Sequence, residues 1–170
     1  MRMMPTYTIN STRAARGFRV TENTGRVFAE MHRPKWYSMD MEGTVDGRTL
    51  KLISEGTWRM RYSVLLDGAR IGTVNTAAWG QLKWDLHFPD KAPAELEFAM
   101  RTWRHRYEVR VTKDLPLLEL KHVFRWAFIA MDYTVEVKNP GIAAEQMPLM
   151  LALAGFSTRL KMARAHASGG

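Results

Sequence analysis

The sequence predicts a mainly β fold: a closed antiparallel barrel of about 12 strands with a C-terminal hydrophobic helix threading its interior. Three observations lead to this expectation. Apolar residues alternate with polar ones through most of the chain, short turn motifs separate the alternating runs, and one segment near the C-terminus is apolar on every face. Strands of this kind bury one face each, and a barrel can turn those faces toward the helix while removing exposed sheet edges.

Several segments show the two-residue period of a half-buried strand. The clearest is Leu82–Phe88, in which polar residues stand opposite the apolar ones at every second position. The same alternation occurs at Trp58–Val64, Glu95–Arg101, Tyr107–Val111 and Tyr133–Val137. Each of these segments presents a single apolar face, as the wall of a barrel requires.

Turn motifs separate these runs at short intervals. Asp67-Gly68 is the strongest hairpin signal, because both residues tolerate the positive φ of a two-residue turn. Other runs end at Asn23-Thr24-Gly25, Asp46-Gly47, Pro89-Asp90 and Asp114-Leu115-Pro116. We therefore predict about 12 strands over residues 6–138. The connections are too short for helical crossovers, so neighbouring strands should be antiparallel.

A helix is predicted over residues 143–166, a stretch rich in Ala, Leu and Met. Its segment Met147–Phe156 is apolar all round and must be buried. The barrel interior is the expected place, and a sandwich with the helix capping one open end is the alternative. Arg159, Lys161 and Arg164 are expected to mark where the helix emerges into water. Aromatic residues expected in the core are Trp36, Trp58, Trp84, Phe98, Tyr107, Trp126 and Tyr133.

Composition restricts the class of protein. A chain of 170 residues with 46% hydrophobic and 25% charged residues is expected to form one globular domain over residues 1–170. It has no cysteine, which excludes disulfides, zinc ribbons and thiol catalysis. The N-terminus lacks a secretory pattern, and the longest apolar stretch is too short to span a membrane. We expect a soluble cytoplasmic protein, peripheral at a membrane if it binds one.

About twelve strands followed by a hydrophobic helix resemble the tubby C-terminal-like superfamily, which includes tubby domains, LURP-one-related proteins and phospholipid scramblases. The resemblance is closest to the LURP-one-related branch, over Gly17–Val27, the hairpin Arg61–Gly72, and Tyr133–Val137 before the helix. The C-terminal signature of tubby domains and the cysteine clusters of scramblases have no counterpart in this sequence. The resemblance implies the barrel fold and a membrane-surface or adaptor role, without an enzymatic activity.

The formal net charge of +8 makes clusters of basic residues candidate binding sites for anions. Basic residues on a barrel exterior can bind the phosphates of lipid headgroups. The candidate residues for anionic lipid are Arg59, Arg61, Arg101, Arg104, Arg106 and Arg110. The competing interpretation is a solvated mixed-charge face, because Glu95, Glu97 and Glu108 are close in sequence. Trp79 and Trp103, which lie near turns, are candidates for a partner or membrane interface.

No motif of an enzyme or a metal site is present. The sequence lacks GxGxxG, GxxxxGK[ST], GxSxG and HExxH, and its five histidines are scattered. We therefore expect no catalytic residues, metal or cofactor, and no nucleic-acid partner. The expected function is a non-enzymatic binding or adaptor domain for anionic phospholipid. The alternatives are an interaction protein that forms homo- or hetero-oligomers, and a barrel that carries a small apolar ligand.

Overall fold

Twelve strands and one helix make up the described part of the chain. The computed structural model describes residues 5–12, 16–58, 60–77, 81–101, 106–112, 114–123, 132–139 and 144–169, without the side chain of Arg101. The elements are β1 (Thr6–Ser11), β2 (Gly17–Glu22), β3 (Val27–His32), β4 (Met41–Val45), β5 (Arg48–Glu55), β6 (Arg61–Leu66), β7 (Ala69–Thr76), β8 (Leu82–Leu86), β9 (Ala94–Arg101), β10 (Arg106–Thr112), β11 (Leu115–Val123), β12 (Asp132–Val137) and α1 (Met147–Ser168).

The strands form one closed barrel in which each strand pairs antiparallel with its neighbours in sequence. β1 pairs with β12 to complete the ring, in a register that runs from Thr6 opposite Glu136 to Ile9 opposite Tyr133. The predicted antiparallel barrel of about twelve strands is confirmed. The Asp67-Gly68 hairpin also forms as predicted, with positive φ at both residues (51° and 82°).

The helix lies inside the barrel. Every residue from Met147 to Leu160 is buried. Phe156 meets the ring of Tyr62 on β6, with centroids 5.0 Å apart, and Trp84 on β8 donates a hydrogen bond of 3.1 Å from Nε1 to Ser157 Oγ. Gly155 faces Phe18 on β2. Contacts with three separate parts of the wall place α1 in the interior, and its side chains fill the space that an apolar ligand would need.

Aromatic side chains line one side of the interior. Trp84 stacks near Phe98 (6.1 Å between centroids), Phe98 stacks on Tyr107 (5.1 Å), and Tyr107 meets Tyr133 edge-on (5.9 Å). These four residues were expected in the core, and all are buried. Offset stacking and edge-to-face packing each add to the apolar burial of the rings.

The prediction that Arg159 marks the point where the helix emerges into water is wrong. Its guanidinium is buried, lies 4.4 Å from the ring centroid of Phe18, and donates to Gly155 O (3.1 Å) and Ser11 Oγ (3.1 Å). Burial lowers the pKa of Arg159 to about 10, while the nearby Tyr133 hydroxyl and Asp132 carboxylate oppose the shift. The group therefore remains charged at neutral pH. The helix emerges later, with Lys161 and Arg164 half-buried at the barrel mouth.

The helix also begins later than predicted, at Met147 instead of residue 143, with Pro148 in its first turn. Proline fits this position because the first helical N–H groups have no partner within the helix.

Two tryptophans expected in the core are on the surface. The side chains of Trp36 and Trp58 are 75% and 87% exposed. Trp58 follows Gly56, whose φ of +72° turns the chain, and β6 begins only at Arg61. The alternation of apolar and polar residues that begins at Trp58 therefore starts in a turn, and only its part from Arg61 onward forms a strand. Trp126 lies outside the described residues.

Candidate functional site

The two ends of the barrel differ in construction. Neighbouring strands run in opposite directions. The loops that follow odd-numbered strands therefore lie at one end of the barrel, and the loops that follow even-numbered strands lie at the other. We call the end at which α1 begins, with the turns at residues 23–26, 46–47 and 67–68, the helix-entry end. The helix-exit end carries the loops at residues 33–40 and 56–60 and the last turns of α1, residues 161–169.

Charges at the helix-entry end are paired across its turns. Arg26 binds Asp46 at 2.9 Å and Arg48 binds Asp67 at 2.7 Å. Lys91 binds Glu145, which ties the β8–β9 connection to the segment before α1. These pairs join neighbouring turns, so this end has a structural explanation for its charged residues.

The helix-exit end exposes large apolar side chains. Seven of the ten such residues in the described part of the chain belong to it. Trp58 and Trp36 are the most exposed, and Tyr37 and Met60 follow at 56% and 50%. The other three are at or near strand ends: Ile53, Met100 and Val123. Exposed apolar groups concentrated on one part of a surface mark an interaction site more often than scattered ones do.

The loop at residues 33–40 is held in place by its own hydrogen bonds. Arg33 donates from Nε to Ser38 O (3.0 Å) and from Nη2 to Trp36 O (2.6 Å). The rings of Trp36 and Tyr37 meet edge-on at 5.8 Å, and Lys35 Nζ lies 5.9 Å from the Tyr37 ring centroid. The aromatic side chains are thus presented on a fixed loop, which reduces the conformational entropy lost when a partner binds.

Basic side chains belong to the same end of the barrel as these aromatic residues. Arg16 and Lys35 are exposed, and Lys161 and Arg164 are half-buried where the helix leaves the barrel. The acidic residues at this end have partners of their own. Asp40 accepts a hydrogen bond from Ser54 N (2.8 Å), and Glu55 binds Arg61 (3.2 Å) and Arg70 (2.8 Å). The helix-exit end therefore combines aromatic groups with positive charge.

The structure places the predicted arginine cluster on the outer wall, where its described side chains contact carboxylates. Arg110 binds Glu97 with two hydrogen bonds (3.2 and 3.1 Å), and Arg106 binds Glu119 (3.2 Å). Arg61 binds Glu55, as described above. This register favours the mixed-charge interpretation of these three residues; a lipid-binding role for them stays a prediction. Arg59, Arg104, Trp79 and Trp103 lie outside the described residues, and for Arg101 only the strand position is known.

Sequence reasoning missed Trp36 and Trp58 as surface residues. A signal was available in both cases, because Trp36 follows Pro34 and Trp58 follows Gly56 within two residues. Proline and glycine at such positions indicate a loop even where apolar residues alternate.

The carboxylate of Glu136 on the barrel wall has a strongly lowered pKa. Glu136 accepts hydrogen bonds from Lys121 (2.6 Å) and Lys138 (2.9 Å), which lower its pKa from 4.5 to about 2. Lys138 also binds Glu119 at 2.8 Å, and this contact raises the pKa of Lys138. The group joins β11 and β12 beside the strand pair that closes the barrel.

Glu136→Gln should flatten the acid limb of the stability curve. A carboxylate with a lowered folded-state pKa stabilises the fold above its unfolded pKa, and this contribution is lost as pH falls through the folded value. The window for Glu136 is therefore pH 4.5 to about 2. Because the pair is partly exposed, we expect a difference of about 1 kcal/mol or less. Urea unfolding at pH 7, 4.5 and 2.5 measures it; equal pH dependence in both proteins would contradict the expectation.

The described residues contain no group of three His, Asp or Glu side chains placed to hold a metal ion. Within the same residues, no helix is long and apolar enough to cross a membrane.

Comparison with known proteins supports the fold. No protein-family model matches the sequence, and no curated protein matches it either. The X-ray structure of the protein AT5G01750 from Arabidopsis thaliana is similar, with a TM-score of 0.56 over 89% of this chain and 90% of that one. The two sequences are 13% identical, so the likeness shows the shared barrel and helix and leaves the function open.

Proposed function

We propose that this protein is a non-enzymatic binding domain that docks on anionic phospholipid surfaces with its helix-exit end. The observation that carries the proposal is the exposure of Trp36, Tyr37, Trp58 and Met60 at the same end as the exposed basic side chain of Lys35. Tryptophan and tyrosine favour the boundary between lipid and water, because their rings are apolar and their polar atoms stay hydrated.

Charge supports the same orientation. Basic residues near an anionic membrane contribute roughly 1 kcal/mol each, and the effect weakens as salt screens it. Arg16, Lys35, Lys161 and Arg164 belong to the helix-exit end, whereas Arg26, Arg48 and Lys91 at the helix-entry end are paired with carboxylates. An approach with the helix-exit end first therefore brings both attractions to the membrane together.

We also propose a protein family and a cellular location. A twelve-stranded barrel around a C-terminal helix supports membership of the tubby C-terminal-like superfamily, near the LURP-one-related proteins. The lack of cysteine is consistent with a reducing compartment. We place the protein in the cytoplasm, at the inner surface of a membrane.

Replacing both exposed tryptophans should weaken vesicle binding. In the variant Trp36→Ser/Trp58→Ser, the two largest interfacial groups are lost, and we expect binding to vesicles containing phosphatidylserine to fall about tenfold or more. Co-sedimentation at low and high salt measures this, with neutral phosphatidylcholine vesicles for comparison. Both residues are exposed, so the unfolding midpoint should stay within the wild-type range.

The matched control is Val27→Ser/Val111→Ser, which removes two exposed apolar side chains from the helix-entry end. It should bind vesicles like the wild type. Equal losses in both variants would contradict the assigned orientation. An absence of wild-type binding to anionic vesicles would contradict the proposed function, and oligomers or a captured partner chain dependent on Trp36 and Trp58 would then favour the interaction-protein alternative.

A further inference from the structure

The two loops that carry the exposed tryptophans are attached to neighbouring strands. Trp36 lies in the loop at residues 33–40, which leads into β4, and Trp58 lies in the loop at residues 56–60, which leaves β5. β4 and β5 pair directly with each other. A contact across this strand pair can therefore hold one loop against the root of the other.

The side chain of Asp40 makes such a contact. The pairing of β4 with β5 ends where Met41 lies opposite Leu52, so the amide of Ser54 lies beyond the paired residues. This amide donates a hydrogen bond of 2.8 Å to Oδ1 of Asp40. The carboxylate thus takes the place of a backbone acceptor on β4, and it attaches the last residue of the first loop to β5.

Hydrogen bonds continue from Asp40 to the first tryptophan. The amide of Asp40 donates to Oγ of Ser38 at 3.1 Å, and Ser38 is buried. Arg33 in turn donates to the backbone oxygens of both Ser38 (3.0 Å) and Trp36 (2.6 Å). The backbone that carries Trp36 is therefore connected to β5 through an unbroken series of hydrogen bonds.

The second loop is attached at both of its ends. Glu55, the last residue of β5, binds Arg61 on β6 (3.2 Å) and Arg70 on β7 (2.8 Å). At the other end of the loop, Met60 O accepts a hydrogen bond of 2.8 Å from the amide of Thr76 on β7. Two adjacent residues at the end of β5 thus anchor both aromatic loops.

We propose that Asp40 is a positioning residue for the docking function proposed above, on which this role rests. By binding Ser54 it holds the two loops together, so that Trp36 and Trp58 reach the lipid surface as one preformed unit. Loops that become ordered only on binding lower the affinity, and a preformed surface avoids that cost. The negative charge of Asp40 itself opposes an anionic membrane. Its hydrogen bond and its charge therefore act on binding in opposite directions, and an experiment can separate them.

The test compares two variants of equal charge. Asp40→Asn removes the negative charge and keeps a side-chain oxygen that can accept from the Ser54 amide, whereas Asp40→Ala removes both. We expect Asp40→Asn to bind vesicles containing phosphatidylserine at least as tightly as the wild type, and Asp40→Ala to bind about fivefold more weakly than Asp40→Asn. Co-sedimentation well below both unfolding midpoints measures the affinity of the folded protein. Hydrogen exchange of the Ser54 amide, followed by NMR, should be slow in the wild type and in Asp40→Asn and fast in Asp40→Ala.

Asp67 provides the matched control at the helix-entry end. Its Oδ1 accepts a hydrogen bond of 2.9 Å from the amide of Thr49, so the same kind of contact is lost in Asp67→Ala and kept in Asp67→Asn. Asp67→Ala should also lower the unfolding midpoint, because alanine is strained at the φ of 51° that this turn requires. The two Asp67 variants should nevertheless bind vesicles equally, which separates a loss of stability from a loss of positioning.

The outcomes separate this role from the docking function. Equal affinities of the two Asp40 variants, with wild-type binding that still depends on Trp36 and Trp58, would overturn the positioning role and leave the docking end standing. A loss of affinity in Asp67→Ala as large as that in Asp40→Ala would assign the effect to stability and also overturn it. Fast exchange of the Ser54 amide in the wild type would remove its structural basis. No wild-type binding to vesicles containing phosphatidylserine would overturn both proposals.

Discussion

A chain that ends at Asn139, and so lacks α1, is expected to be insoluble and to show no cooperative unfolding transition. Removing the helix exposes the inner faces of all twelve strands to water. It also removes the buried side chains of Leu149, Leu151, Leu153 and Phe156, each of which contributes roughly 1.5–3 kcal/mol by burial. These four alone are comparable with the whole stability of a typical domain. Expression followed by fractionation, with thermal unfolding of any soluble material, measures the effect.

The matched control is a chain that ends at His166. It lacks exposed residues beyond the barrel mouth and keeps the entire buried part of the helix, Met147–Leu160. This control should fold with a midpoint close to that of the full chain. A monomeric, cooperatively folded chain ending at Asn139 would contradict the structure, because it would require a barrel that is stable with an empty interior.

Gly155→Val is expected to destabilise the fold by about 3 kcal/mol or more, and Gly155→Ala by about 1 kcal/mol. A Cβ at this position would lie 2.4 Å from Cε2 of Phe18, far inside van der Waals contact. Phe18 is fully buried within the closed wall, so its ring has little room to move. Alanine regains part of the loss through its higher helix propensity, worth roughly 1 kcal/mol, whereas valine does not.

Urea unfolding of single and double variants tests this contact directly. Phe18→Leu combined with Gly155→Ala should cost less than the sum of the two single changes, because the smaller side chain makes room for the new methyl group. Gly169→Ala is the control, since a Cβ there meets only Ala165 O at an ordinary 3.5 Å. An additive double variant, or a Gly155→Val chain as stable as the wild type, would show that α1 and β2 are not in close contact.

Local patterns predicted most of this fold because its strands pair with their sequence neighbours. Turn motifs such as Asp67-Gly68 set the hairpins, and a helix that is apolar all round has no stable place except the interior. The position of Arg159 was beyond such reasoning. Two of its partners, Phe18 and Ser11, are more than 100 positions away in sequence, and the local sequence does not show that they meet the guanidinium inside the barrel.

The candidate site was harder to predict than the fold. Arginines close together in sequence suggested an anion-binding cluster, but the pairing of Arg110 with Glu97 depends on the register between β9 and β10. Conversely, the helix-exit end gathers Trp36, Trp58 and Lys161 from segments that are distant in the chain. The number of strands between two loops decides whether they lie at the same end of the barrel. An error of one strand in the predicted count assigns a loop to the opposite end.

The closure of β1 on β12 has a consequence for biosynthesis. The first strand made must wait for the last strand to be translated, and the helix that fills the interior is made later still. At about 5–20 residues per second, the ribosome needs roughly 8–30 s to proceed from the end of β1 to the end of α1. Through that interval the nascent strands have no closed sheet to join. The loss of newly made chains to aggregation or proteolysis should therefore depend on the rate of translation and on chaperones, rather than on the stability of the finished barrel.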